Sequence, residues 1–559
     1  MAVTLLSWIM ILFLAVSLGR VFLYGIMEDS AKERASIEFD LAVVTGLMCL
    51  NVYAQIYSIF SNVGREAFFL ILAAGLVCIF FRLIYIRPKR KVQMDHMNYG
   101  GWRLGALFII ISFIGLCTLK APNNVDTYLY HAQAIRWIEE YGVVPGLGNL
   151  HNRFAYNSAF MPLQALFSFV WLFEQPLHSL NGFFGCFLVC YGVITNKLFS
   201  QLDSRLSDFL KLVIIIYVYV NRNNLSSPGS DISAMLVLLY ISCKWSEYTE
   251  RKERDSQFFG IICLISVWAV TLKLSVVTCL LLTAYPAVTL IKEKKWKVIR
   301  KDIVCGIVVA TPWLVRNVII SGYILYPYSR IDLFGFDWKM PAEILDYDRK
   351  EIMVWGREVK DVSKYDESIG QWFGTWFGNQ MLRNKIFIIA GFVATAVIVV
   401  LIFIKLTGII KKKASINFFL EDIREGLLIV TMLTGEIFWL FSAPLVRYGM
   451  VYLLMPSAVI AFLVKEAAGE KRFRKWMLSG IVFAGCLVCL YKDEDFRAIS
   501  PHGYWKMDNI KNDWYGFEIY TPAEDSISGY EDFPAATREE ILEDILPRGS
   551  RIEDGFRAR

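Results

Sequence analysis

Pro122-Asn-Asn-Val-Asp126-Thr-Tyr-Leu-Tyr-His131 opens a polar insert that runs to about Asn157 between long apolar segments. On one side stands the apolar run 104–119, of membrane-span length. On the other, apolar sequence resumes at Phe160 and continues with short breaks to Tyr491. An acidic residue just past a span, heading a helix that rides the membrane surface, is costly to place without a use. The insert is therefore read as the chemical end of a multispanning enzyme.

Composition supports the membrane assignment. The chain has 559 residues, 56% of them hydrophobic, with 40 Phe, 27 Tyr and 16 Trp, and a mean hydropathy of +0.44. Its apolar residues come in repeated runs of about 17–25, the length that crosses ~30 Å of hydrocarbon at 1.5 Å per residue. The net charge of +6 sits in short clusters between those runs, a pattern of membrane topology rather than of nucleic-acid binding. All 11 cysteines, Cys49 to Cys489, lie in or beside apolar segments, which argues against structural disulfides and a cysteine-ligated metal. The first apolar run, 3–24, has no preceding positive charge and no small-residue cleavage signal, so it reads as a retained span.

Candidate spans fall at about 3–26, 38–61, 66–86, 102–120, 158–174, 180–198, 208–222, 230–243, 258–273, 275–291, 303–321, 385–405, 424–442, 447–464 and 475–491, 14 or 15 in all. Placing the basic clusters at 82–91, 292–301, 411–413 and 465–475 inside puts loops 121–157 and 322–384 and the tail after 491 all outside. The bookkeeping closes only if one segment between 158 and 291 is not a full crossing. The preferred candidate is 158–174, interrupted by Pro162, which could lie along the outer surface; 208–222 is the alternative. Three regions result: N-terminal helices 1–100, read as a lipid-facing scaffold; a core 101–491 with the two outer loops; and 492–559, a short polar tail or small extracytoplasmic appendage. Its acidic end, Glu539-Glu540-Ile-Leu-Glu543-Asp544, reads as a helix or partly disordered. In the second loop the stretch Trp372-Phe-Gly-Thr-Trp376-Phe-Gly378 reads as interfacial, its rings at headgroup level.

Asp126 leads the residues suited to chemistry. Pro122 stops the preceding helix, and Asn123, Asn124 or Asp126 is placed to cap the next. In that helix Asp126, Tyr130 and Gln133 would share a face. As an alternative to capping, the carboxylate takes a proton from an acceptor hydroxyl or, with a divalent cation, orients a phosphate. His131 and His151, two of only five histidines, lie in the same insert, and Arg153 stands beside the second. A guanidinium fork suits phosphate oxygens; headgroup contact or a loop salt bridge is the bland alternative. The two histidines lack zinc-ligand spacing. Lys273, Asp231, Arg316 and Arg447 sit in or at the ends of apolar stretches near the outer side. Each is expensive in hydrocarbon unless it meets a cavity, a partner or the surface. No phosphate-cradling glycine loop or dinucleotide fingerprint is present.

Four stretches carry a resemblance: Asn124-Val-Asp126-Thr-Tyr-Leu-Tyr-His131, Pro145-Gly-Leu-Gly-Asn-Leu-His151-Asn-Arg153, Thr311-Pro-Trp-Leu-Val-Arg316-Asn-Val-Ile-Ile-Ser-Gly322-Tyr-Ile-Leu-Tyr-Pro327 and Ala443-Pro-Leu-Val-Arg447-Tyr. Over about 100–500 the chain resembles the GT-C superfamily of integral membrane glycosyltransferases, and more closely a group of largely uncharacterised bacterial multispanning proteins placed near them. The resemblance implies an all-α, polytopic helical bundle with interfacial helices in a large outer loop. It implies transfer of a sugar from a polyprenyl-phosphate carrier to a glycan, lipid or protein acceptor, on the outer face of the bacterial cytoplasmic membrane. Asp126 matches the loop carboxylate that serves as base or as contact for a divalent cation (Mg or Mn), with His131 beside it. Arg153, His151, Lys273, Arg316 and Arg447 are the candidates for holding the lipid-linked donor. Many members show two acidic residues close together in that loop, whereas Thr127, Tyr128 and Leu129 follow Asp126 here. Four spans precede the loop instead of one. A lipid or oligosaccharide transporter, a polysaccharide polymerase or ligase, and a purely structural membrane protein are the competing readings.

Overall fold

The computed structural model describes residues 1–28, 38–85, 101–173, 175–199, 203–253, 255–407, 422–470, 473, 503–523 and 527–559. The expected span 475–491 and the basic clusters at 87–91 and 411–413 lie outside the described residues. The described chain is a helical bundle. Seven of its helices are long and apolar enough to cross a membrane: Ala2–Ile26 (α1), Phe39–Phe60 (α2), Leu274–Lys292, Trp296–Ser321 (α12), Leu382–Thr407 (α15), Ile423–Ser442 (α16) and Val446–Ala468 (α17). This is a multi-pass membrane protein.

The N-terminal helices are more than a scaffold. Gly19 and Gly46 let α1 and α2 meet backbone to backbone; a Cβ on Gly19 would stand 1.8 Å from the Ala42 carbonyl oxygen. Such contact replaces the hydrophobic drive that lipid removes. The helix α2 is buried along most of its length. Its Asn51 donates to the Ala159 carbonyl and accepts from Trp268 Nε1 at 3.0 Å. The expected lipid-facing role therefore fails for α2: its buried Asn51, Gln55 and Ser58 face protein, because polar side chains at that depth need partners.

Segment 158–173 contains no helix long enough to cross. Only Phe160–Leu166 (α6) is helical there, seven residues, and about 10 Å cannot span ~30 Å of hydrocarbon. Contrary to the surface placement expected of it, the segment is tucked into the bundle, with Phe160, Leu163, Leu166 and Phe167 buried. Irregular backbone at membrane depth is tolerated where protein encloses it. The segment 208–222 forms Leu206–Val220 (α8).

At the centre runs Ser230–Glu250 (α9), every residue from Ile232 to Thr249 buried. It packs against Ser256–Leu272 (α10), Leu180–Ile194 (α7) and α8. Because neighbours surround it, α9 carries charge that a lipid-facing helix would not.

The two large loops and the tail share one side. Arg153 of the first loop pairs with Asp348 of the second at 3.2 Å. The tail's Phe556 N–H donates to the Pro145 carbonyl at 3.0 Å, and its Arg548 pairs with Asp337 at 2.9 Å. The tail is built of two antiparallel pairs, Asn509–Trp514 (β1) with Phe517–Pro522 (β2) and Ile545–Pro547 (β3) with Phe556–Ala558 (β4). The acidic end contributes one helical turn, Glu540–Glu543. The aromatic stretch of the second loop forms Ile369–Asn379 (α14). Its Trp372 and Trp376 are buried rather than at headgroup level, because Trp376 Nε1 donates to the Pro444 carbonyl at 3.0 Å.

Candidate functional site

Asp126 does not cap a helix. The chain enters through an Asx turn, in which Asn124 Oδ1 accepts from the Asp126 N–H at 3.0 Å, and continues as a single π turn, Thr127–His131. That wide turn shifts the register of Ala132–Glu140 (α5), and π turns recur at functional sites. The expected shared face breaks as a result. Gln133 turns to the tail, donating to the Gly529 and Asp532 carbonyls at 3.1 and 2.8 Å. Freed from capping, the Asp126 carboxylate meets Arg447.

Arg447 is the hub. Its Nη2 stands 2.5 Å from Asp126 Oδ2 and donates to the Tyr448 hydroxyl at 3.1 Å. Its Nη1 donates to Asn124 Oδ1 at 3.3 Å. Its Nε faces Asp231 Oδ2 at 3.5 Å, an ion-pair distance at which neither atom makes a hydrogen bond. Lys273 donates to the other Asp231 oxygen and lies over the Tyr448 ring, 3.6 Å from its centroid. The elements explain the convergence. Arg447 begins α17 just after Pro444-Leu445, whose carbonyls are gripped by Trp376 and Trp439. Lys273 occupies the extended residue between α10 and the next helical stretch. Asp231 lies in the first turn of α9. The side chains of Arg447, Lys273, Asp126 and Asp231 remain 35%, 20%, 20% and 16% exposed, so the cluster is partly open to solvent.

His131 closes the inner wall. It is buried, Gly229 lies against its ring where a Cβ would stand 2.5 Å from Cε1, and its Nδ1 has no hydrogen-bond partner. Burial lowers its pKa to about 4, against the opposing pull of Asp126 and Asp231. It is a neutral imidazole with a free nitrogen. Tyr130, whose ring lies 4.2 Å from His131, is held protonated by burial and then by the Asp126 charge.

The other expected residues go elsewhere. His151 is a cap: its Nδ1 accepts from the Arg153 N–H at 3.2 Å, and its Nε2 pairs with the Leu129 carbonyl at 3.2 Å. Burial first, and Arg153 second, push its pKa down to about 3. Arg153 is committed to Asp348 and Glu351. Although burial opposes its charge, those carboxylates raise its pKa overall. Asp348, fully buried, also accepts from Asn152, Tyr156 and Tyr326, so this group joins the two loops. Arg316 is buried between Asn157 and Ser58, apart from the Arg447 cluster. The structure thus brings Asp126, His131, Lys273 and Arg447 together and separates His151, Arg153 and Arg316 from them.

Asp231 supplies the second carboxylate that the sequence around Asp126 lacks. Its signal was present: an acid directly after Ser226-Ser-Pro-Gly-Ser230 at the head of an apolar run. Among the described residues no group of three or more His, Cys, Asp or Glu side chains gathers as a metal site. Both carboxylates face cations, so the donor set does not fit a resident divalent ion.

Residues 1–454 match the family described as a domain of unknown function, DUF8201. The chain belongs to the DUF8201 family. Every residue of the mouth cluster lies within the matched region. No curated protein and no solved structure matches the chain.

Proposed function

We propose that this DUF8201 chain is a membrane glycosyltransferase that moves a sugar from a polyprenyl-phosphate-linked donor to an acceptor hydroxyl on the extracytoplasmic face of a bacterial cytoplasmic membrane. One observation carries the reading. A carboxylate released from helix capping meets Arg447, which with Lys273 flanks a second carboxylate, Asp231, in a partly exposed cluster where Asp231 Oδ2, Arg447 Nε and His131 Nδ1 lack hydrogen-bond partners. Unsatisfied polar atoms beside paired charges are what a ligand would satisfy.

The chemistry needs little more. The acceptor hydroxyl replaces Arg447 at Asp126, which orients the hydroxyl and takes its proton as the oxygen attacks the anomeric carbon. The bond from that carbon to the carrier phosphate breaks, and both electrons leave with the phosphate oxygen. Arg447 and Lys273, pre-positioned by Asp231, receive that charge. A cationic cradle of this kind makes a separate acid for the leaving group unnecessary. His131, neutral beside Asp126, offers Nδ1 as an acceptor for a second substrate hydroxyl. No step passes through a metal ion.

The test is turnover of a radiolabelled polyprenyl-phosphate-sugar panel by purified protein in lipid, with and without chelator, beside Asp126→Asn. Sugar release from one donor that survives chelation and disappears in the variant is the expected result. Binding without release in the presence of diverse acceptors would favour a transporter. Wild-type turnover in Asp126→Asn would remove Asp126 from the reaction.

A further inference from the structure

Arg316 occupies a place that neither the mouth cluster nor the loop clamp accounts for. It lies near the outer end of α12 with 2% of its surface exposed. Its Nε donates to Asn157 Oδ1 at 3.0 Å and its Nη1 to the Ser58 hydroxyl oxygen. Both acceptors are neutral and already engaged: Asn157 Nδ2 donates to Asn317 and to the Trp313 carbonyl, and the Ser58 hydroxyl donates to the Gln55 carbonyl. Among the described residues Arg316 forms no ion pair, and its hydrogen bonds run from Nε and Nη1 to those two neutral acceptors.

The guanidinium lines a small cavity whose other walls, Asn157 apart, are apolar or glycine, among them Ile138, Val143, Phe154, Met161 and Ile320. An arginine keeps its proton under all ordinary conditions, and a cation taken out of water without a counter-charge is strongly disfavoured. Three other deeply buried cations of the described bundle have carboxylates: Lys211 and Lys244 pair with Glu247, and Lys465 with Asp203. Arg316 has a cavity in that position.

We propose that this cavity is a binding site for a monatomic monovalent anion of the halide class, chloride under ordinary conditions, held by the Arg316 guanidinium. The space admits about one water-sized particle, which excludes a phosphate ester or a sugar. A water molecule would fill the volume and leave the charge uncompensated. Through Asn157 and Ser58 the bound anion fixes the end of the first loop to α2 and α12, so its occupancy is read in the stability of the protein. The site stands independently of the transferase reading.

The test is the melting temperature of the full-length protein in lipid nanodiscs, titrated with sodium chloride against sodium gluconate at constant ionic strength. Wild type is expected to gain about 1 °C or more for each tenfold of chloride above the binding constant, by mass action, with bromide equivalent. Arg316→Gln is expected to lose the halide dependence. Equal melting of wild type in chloride and gluconate overturns the site, as does an unchanged chloride response in Arg316→Gln. If that variant does not fold, crystals of wild type grown in sodium bromide decide: anomalous density against the Arg316 guanidinium supports the site, and its absence there overturns it.

Discussion

The central helix α9 carries a charged cluster at each end, and the two ends are built differently. At its C-terminal end Lys244 meets Glu38 at 2.8 Å, Asp40 at 3.0 Å and Glu247 at 3.0 Å. Tyr240 and Tyr248 donate to Asp40 and Glu38, and Lys211 and Tyr191 complete Glu247. No atom of Lys244, Glu247, Lys211, Glu38 or Asp40 is left buried without a partner among the described residues. At the N-terminal end Asp231, Arg447 and His131 each keep an atom without one. A fully satisfied buried network fixes structure. An incompletely satisfied one at an open mouth is arranged for something that arrives.

The strongest way to break this contrast is to exchange effects between the two ends. Lys244→Met is expected to cost about 3–5 kcal/mol, because removal of one partner leaves buried carboxylates uncompensated; loss of yield and a lowered melting temperature would register it. Asp126→Asn is expected to melt like wild type while losing about 10²–10⁴-fold in turnover. If Lys244→Met stays stable, or Asp126→Asn unfolds, the assignment of structure to one end and function to the other is wrong.

Within the mouth, Arg447→Lys sharpens the picture. Lysine keeps the charge but cannot reach Asp126, Asn124 and Asp231 at once. The loss of charge-assisted hydrogen bonds, about 1.5–3 kcal/mol, should appear as a roughly 10–100-fold fall in kcat/KM for the lipid donor. Unchanged donor kinetics would demote Arg447 to a partner of Asp126 alone.

The tail offers a smaller effect. Glu139, buried, accepts from Tyr530 at 2.7 Å and pairs with His178 at 3.0 Å, while Arg136 donates to the Tyr530 and Glu531 carbonyls. Tyr530→Phe leaves a buried carboxylate oxygen short of a donor, at about 1–3 kcal/mol. Faster hydrogen exchange confined to 128–140 and 503–559 is the expected signature; exchange that spreads to α9 would contradict a local clasp.

Acid gives the mildest probe. His131 and His151 have folded pKa values lowered by burial to about 4 and about 3, below the ordinary 6.5, so the unfolded chain binds the extra protons first. Their contribution to stability is full above about pH 6.5 and declines as pH falls toward 4 and then 3. Melting temperature measured from pH 7 to pH 4 should fall, and His151→Asn should flatten the descent. A melting temperature that rises on acidification would reverse the sign.

The multi-pass character was legible without coordinates, though seven described helices are long and apolar enough to cross where 14 or 15 spans were expected; the shared side of loops and tail was legible too. Hydropathy and charge are local properties, and the membrane imposes them segment by segment. Asp126, His131, Lys273 and Arg447 were also legible as costly residues near one face. Tertiary structure alone decided their partners. Arg447 lies 321 positions from Asp126, and nothing in local sequence distinguishes it from Arg316, which ends at a small cavity of its own, or Arg153, which ends on Asp348. The π turn that frees Asp126, the capping role of His151 and the clasp of the tail on α5 likewise depend on which groups meet in space. Hydrophobic patterning assigns each segment to lipid, protein or water; the pairing of charges is settled only when buried groups compete for a limited set of neighbours.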